Sequence, residues 1–171
     1  MVGYDVSIES LPVSGFLDLR GGDVVRKVCS KCLGISLPIT ANTLVIGADD
    51  QLAHCISSGH WILQVTDGTQ ERVLRDLEIV ANDLSHSFVD VSDMYSRIQL
   101  SGMEAREVLA QGASIDIHPH VFPAGSSART GLAKTAVLLT CVDETPTFIL
   151  TVFSSYRRHV LDWLNMASGK P

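Results

Sequence analysis

Two cysteines three residues apart, in Cys29-Ser-Lys-Cys32, form the pattern in this sequence most suited to chemistry. A CxxC becomes redox-active when a helix N-terminus lowers the pKa of its first thiol. Here Val25, Val28 and Leu33 predict a helix opened by Asp23, so both thiols fall towards its C-terminal end, where the dipole opposes a thiolate. The two cysteines also complete the apolar stripe, and core packing is the expectation for both. His118-Pro-His120 offers two imidazoles for a Cys2His2 zinc site. The spacing is not that of a zinc finger, however, and no second CxxC exists. Pro119 is expected to shape a loop, because it pushes His118 out of the helical region.

Other constellations are weaker. Gly125-Ser-Ser-Ala-Arg129-Thr130 resembles a small-residue anion cradle but lacks the GxxxxGK[ST] pattern, and a loop entering a strand explains it. No GxGxxG follows a strand, so flavin and nicotinamide have no recognisable dinucleotide site. His86, Asp90 and Asp93 lie close in sequence, yet turn and cap duties account for both aspartates, and no GxSxG elbow presents a serine. We assign no catalytic, cofactor-binding or metal-ligating residue in this chain.

The elements that would position such groups read as follows. Phe16–Leu19 is a short strand, followed by the helix from Asp23 that Gly34 closes. Residues 43–46 form a strand, and residues 48–58 read as irregular and polar. Trp61, Leu63 and Val65 alternate along a strand, and Asp67 or Thr69 caps a helix with Val73, Leu77, Val80, Ala81 and Leu84 on its apolar face. Residues 87–91 form another strand, and Asp90, Ser92 and Asp93 make a turn. In the strand that follows, Ser96, Ile98 and Leu100 face one way. Ser101 and Glu104 have the spacing of a capping box for a helix over 102–111, carrying Ala105, Val108 and Leu109 and ended by a left-handed Gly112. Residues 132–141 form a strand, residues 143–146 a hairpin turn, and Phe148, Leu150 and Val152 line the returning strand. Ser154 or Ser155 caps a last helix with Tyr156, Val160, Trp163, Leu164 and Ala167 on its apolar face, and Gly169 ends it.

Helices that return at intervals to cover one face of antiparallel strands give an α+β domain. We predict a single domain of two similar ferredoxin-like halves, about 1–85 and 86–171. At 171 residues the chain can bury roughly 70% of its unfolded surface and needs no staples. The apolar fraction of 46% is rich for a free-standing protein and suits an interface with another subunit. No apolar run approaches the roughly 20 residues of a membrane helix. The start, MVGYDVSIES, lacks the basic and apolar regions of a signal peptide, so a cytoplasmic chain with reduced cysteines is expected. The net charge is −6, and Lys and Arg never cluster beyond Arg157-Arg158, which excludes a phosphate-tracking nucleic-acid surface.

The second half also carries a resemblance. Asp90-Val91-Ser92, Ile98-Gln99-Leu100-Ser101-Gly102, Ala105 and Leu109 resemble a segment of the folate-binding domain of glycine-cleavage aminomethyltransferases. The series is more similar to the gamma subunits of heterotetrameric sarcosine oxidases. There it extends through Gly112, Asp116-Ile-His118-Pro119, Phe122-Pro-Ala-Gly125, Arg129-Thr130-Gly131-Leu132-Ala133 and Trp163-Leu164. The resemblance implies the same folate-binding-like architecture and a non-catalytic subunit. Its partners would be the alpha, beta and delta subunits, which would hold the NAD, FAD, FMN and zinc. It implies a complex that oxidatively demethylates sarcosine to glycine, giving hydrogen peroxide and a one-carbon unit for tetrahydrofolate. The alternative is a stand-alone folate-binding protein of the aminomethyltransferase type, but the acidic residue that anchors folate there aligns with no position here. A third class, a redox or zinc-linked regulator, would act through Cys29 and Cys32.

Overall fold

The computed structural model describes residues 3–49 and 51–169, and the chain divides into two compact units. One unit is Val13–Ser92, and the other joins the N-terminal residues up to Pro12 to the chain from Asp93 onward. Strand β1 (Ser7–Ser10) thus belongs with the C-terminal part of the chain. The Val13–Ser92 unit runs β2 (Gly15–Gly21), α1 (Asp23–Leu33), β3 (Thr43–Ile46), β4 (Leu52–Ser57), β5 (His60–Val65), α2 (Gln70–Ala81) and β6 (His86–Asp90). The other continues with β7 (Tyr95–Ser101), α3 (Ala105–Ala110), β8 (Ser127–Leu132), β9 (Thr135–Asp143), β10 (Thr147–Phe153) and α4 (Arg157–Ala167).

Each unit is built on an antiparallel five-stranded sheet, in the order β3-β4-β5-β2-β6 in the first and β1-β7-β10-β9-β8 in the second. The fold is α+β. Without the edge strand β3, the first sheet has two interlocked split β-α-β units: β2-α1-β4 brackets β5, and β5-α2-β6 brackets β2. The second sheet repeats this order when β8 is set aside, with one change. The slot beyond β7, which in the first sheet is filled by the strand after the second helix, is taken by β1 from the start of the chain. The division therefore does not fall at a single point near residue 85. β6 pairs with β2 and β1 pairs with β7, so the terminal strand of each unit is fixed by pairing rather than by sequence order.

One face of the first sheet supplies its core. Leu17, Leu19, Ala53, Cys55, Trp61, Leu63 and Phe88 stand in register on that face, against Val25 and Cys29 of α1 and Val73, Leu77 and Ala81 of α2. Of the expected stripe on α2, Val73, Leu77 and Ala81 are buried, Val80 is exposed, and Leu84 lies beyond the helix and is half-buried. In the second unit Ile98, Leu100, Leu139, Cys141, Phe148, Leu150 and Val152 meet Ala105, Val108 and Leu109 of α3 and Val160 and Leu164 of α4.

Several local readings need correction. Residues 48–58 are not wholly irregular: β4 lies there, with Ala53, His54 and Cys55 buried in succession. The strand expected over 132–141 is β9, which starts at Thr135, and the loop expected before it contains a further strand, β8. β8 and β9 turn at Ala133 and Lys134, both with positive φ, the geometry of a tight hairpin without its usual Asn-Gly. No capping box forms at α3. Ser101 is the last residue of β7, and Glu104 Oε2 instead accepts the backbone N–H of Asp5 at 2.6 Å. Neither Asp67 nor Thr69 caps α2 through its side chain; the Thr69 hydroxyl donates to the Thr66 carbonyl. Asp23 is the first residue of α1 rather than its cap, and its carboxylate pairs with Arg26 and Lys27. A single 3-10 turn, Ser154–Tyr156, precedes α4, and Tyr156 is exposed rather than on its buried face. Gly34 and Gly169 do take the left-handed conformation after their helices, but Gly112 does not. A Cβ at Gly112 would collide with the ring of Trp163, so this glycine serves close packing of α4.

Candidate functional site

α1 carries the CxxC as predicted, but its geometry separates the two thiols. Cys29 faces the core at 1% exposure, whereas Cys32 is exposed, which corrects the expectation that both are packed. Burial pushes the Cys29 thiol up to about 11, with the neighbouring Cys32 and Glu78 adding to the rise. Cys32 is also raised, by partial burial and by Asp76. A thiolate is disfavoured at both positions. All four cysteines are free thiols.

The other sequence-selected groups are drawn into local structural duties. His86 does not meet Asp90 or Asp93. Its Nε2 lies 2.8 Å from Glu78 Oε2 and its Nδ1 2.8 Å from the Leu84 carbonyl, and both interactions raise its pKa. Asp90 accepts the N–H and hydroxyl of Ser92, as a turn residue does. In the His118-Pro-His120 run the two rings lie 5.2 Å apart, and the His118 N–H donates to Asp116 Oδ1 at 2.8 Å. Among the described residues, no group of three or more His, Cys, Asp or Glu is placed to hold a metal ion.

The suspected anion cradle is β8 and its approach. The N–H groups of Gly125 and Ser126 donate to the carbonyls of Cys141 and Pro123, and residues from Ser127 onward pair with β9. The amides that a phosphate would need are already committed. A small charged cluster that the sequence did not suggest, one carboxylate with an arginine and a histidine, lies on β2 and β5. Asp18 meets His60 at 3.0 Å and Arg20 at 2.9 Å. Burial alone would raise the Asp18 pKa, but these two partners outweigh it and hold the carboxyl below its usual value.

A cleft of about 550 Å³ beside α3 gathers polar and apolar groups. Ala110, Ile117, Pro119 and Pro146 supply apolar walls, and Met103, Glu107, Asp116, His118 and Glu144 surround them. Arg106 fixes its geometry. The guanidinium donates to the carbonyls of Ile117 and, at 3.1 Å, Phe122, and it lies 5.0 Å above the Phe148 ring. One side chain thereby ties the loop after α3 to the sheet. Arg106 escaped the sequence reading; the signal was a basic residue in the first turn of a helix, where the dipole disfavours it. A smaller hollow of about 420 Å³ opens between Asp49, Gln51, Thr66 and the start of α2, where the Thr66 hydroxyl is bonded to the Asp49 carbonyl.

Among the described residues lining these two features, no nucleophile is hydrogen-bonded to a base. Comparison with known proteins agrees in fold. A family model described as "Sarcosine oxidase, gamma subunit family" matches residues 22–170. A heterotetrameric sarcosine oxidase from Corynebacterium sp. U-96, in complex with pyrrole 2-carboxylate, contains a similar chain. The two share 21% identity and a TM-score of 0.89, over 96% of this chain and 84% of that one. The glycine cleavage system aminomethyltransferase T of Bartonella henselae matches at 12% identity and a TM-score of 0.71, over 96% of this chain and 46% of its own. The regulatory subunit of aspartate kinase from Thermus thermophilus shares the general fold at 11% identity and a TM-score of 0.52, over 96% of this chain and 98% of that one. No curated protein matches the sequence.

Proposed function

Because this chain belongs to the sarcosine oxidase gamma subunit family, we propose that it is the non-catalytic assembly subunit of a heterotetrameric sarcosine oxidase. Its partners in this reading are the alpha, beta and delta subunits, which hold the NAD, FAD, FMN and zinc. The complex oxidises the N-methyl group of sarcosine, releases glycine, reduces O2 to hydrogen peroxide and passes the one-carbon unit to tetrahydrofolate. This chain contributes surface and shape to that assembly.

The observation that carries the reading is the family match, which spans most of both units. Two features support it. Among the described residues, pairs such as Asp18 with His60 and Arg20, and His86 with Glu78, hold strands and helices and contain no nucleophile–base pair. Many large apolar side chains are exposed, among them Val13, Val24, Ile39, Ile46, Ile79 and Val121, as suits a chain that buries surface in a partner. No helix of the described residues is long and apolar enough to cross a membrane. A free-standing aminomethyltransferase is the weaker reading, since the chain spans 46% of the Bartonella henselae enzyme.

The test is the purified chain alone. It should be colourless, bind no flavin and oxidise no methylated amine. A yellow protein, or turnover that needs no other chain, overturns the assignment.

A further inference from the structure

We propose that the cleft beside α3 is a socket for a neighbouring subunit, taking an apolar side chain flanked by lysine or arginine on the partner polypeptide. The inference rests on the subunit reading above and adds the place and chemistry of one contact.

Three observations converge on it. First, the walls are apolar: Ile117 is buried and Pro146 lies beneath the rim, yet Met103 stands 70% exposed at the edge. An unbranched, polarizable methionine is suited to mould itself around an incoming side chain. Second, the exposed carboxylates on this rim belong to Glu107, Asp116 and Glu144, and among the described residues none of them forms an ion pair. Asp116 accepts the His118 N–H at 2.8 Å. Third, the arginine that lines the cleft is turned away from this rim. The Arg106 guanidinium is bound to the Ile117 and Phe122 carbonyls and lies over Phe148, so it holds the wall in place instead of pairing with the rim acids.

Three carboxylates without an ion pair among the described residues, set around an apolar, preformed floor, offer Coulomb attraction to an incoming cation. They therefore select a basic partner and reject an acidic one. The cleft volume of about 550 Å³ accommodates a large side chain with its neighbours. Because the floor is already shaped by Arg106, docking orders little of this chain, which favours binding.

The experiment uses the complete chain co-expressed with the other subunits of its own sarcosine oxidase. Glu107→Lys with Glu144→Lys reverses the rim, and Met103→Glu separately removes the apolar edge. Met166→Glu is the control, equally exposed at 70% on α4 but outside the cleft. Circular dichroism and melting of the isolated variants should match the wild type, since every substituted side chain is exposed. The double reversal and Met103→Glu should each weaken subunit association about tenfold or more. Raising the salt concentration should weaken the wild-type complex but not the reversed one. Normal assembly by both cleft variants overturns the socket and leaves the subunit reading standing. Assembly lost only in Met166→Glu also overturns it. A wild-type chain that joins no complex at all overturns the subunit reading, and the socket with it.

Discussion

Replacing Gly112 by alanine tests how the end of α3 is packed. Gly112 has no left-handed backbone, so alanine suffers no conformational penalty there and would ordinarily gain roughly 0.4–1 kcal/mol from reduced freedom of the unfolded chain. The added methyl, however, would overlap Cζ2 of Trp163 and lie 2.9 Å from Cη2 and 3.1 Å from Cε2. An indole ring cannot yield as the tip of a flexible chain does, and forced overpacking costs about 1–3 kcal/mol. The expected net effect is a loss of about 1–2 kcal/mol, or a melting point lower by roughly 2–8 °C for a chain of this size. Urea denaturation of Gly112→Ala, Trp163→Leu and the double variant reads this directly. The double variant should be more stable than the sum of the single losses requires, because the smaller side chain makes room for the methyl. A Gly112→Ala protein as stable as wild type, or strict additivity in the cycle, refutes the packing role.

Three further perturbations follow from particular contacts. Glu104→Ala removes the acceptor of the Asp5 N–H and should cost about 1–2 kcal/mol, with faster amide exchange along β1; unchanged exchange there would show that β1 is held by its ladder alone. Cys29→Ala should destabilise by about 1–2 kcal/mol and Cys32→Ala by less than about 0.5 kcal/mol, and equal losses in chemical denaturation would contradict their different burial. His54 is buried, and burial lowers its pKa from 6.5 to about 4. The unfolded chain therefore takes up this proton first, and stability is lost as pH falls from about 6.5 towards 4, by roughly 3 kcal/mol in all. Stability measured across that range should fall less steeply in His54→Gln, and identical slopes would remove His54 from the account.

Where local pattern and tertiary packing agree, the elements were legible. Trp61, Leu63 and Val65 of β5 share the core as their spacing indicated, Val73, Leu77 and Ala81 mark α2, and Gly34 and Gly169 end their helices in the left-handed region. β4 was hidden because a buried histidine sits between Ala53 and Cys55, so its burial is continuous and its hydropathy is not. The turn between β8 and β9 was hidden because Ala133 and Lys134 adopt positive φ without the residues that usually signal it. Glu104 and Gly112 were assigned local roles that suited their spacing. Their actual partners, Asp5 and Trp163, are far away in the chain. The placing of β1 beside β7 has the same cause, since register is set by a distant strand. For the site, the sequence showed what was missing, a fingerprint or a triad, whereas the cleft and its Arg106 brace depend on carbonyls that no side-chain pattern announces.

The central claim, that this chain serves as one subunit of a larger oxidase, is tested most directly by native mass spectrometry of the co-expressed complex. The account predicts an assembly containing one copy of this 18.5 kDa chain with the other subunits, and a lower yield or stability of the complex when the chain is omitted. A fully stable, complete oxidase that never includes the chain would contradict it.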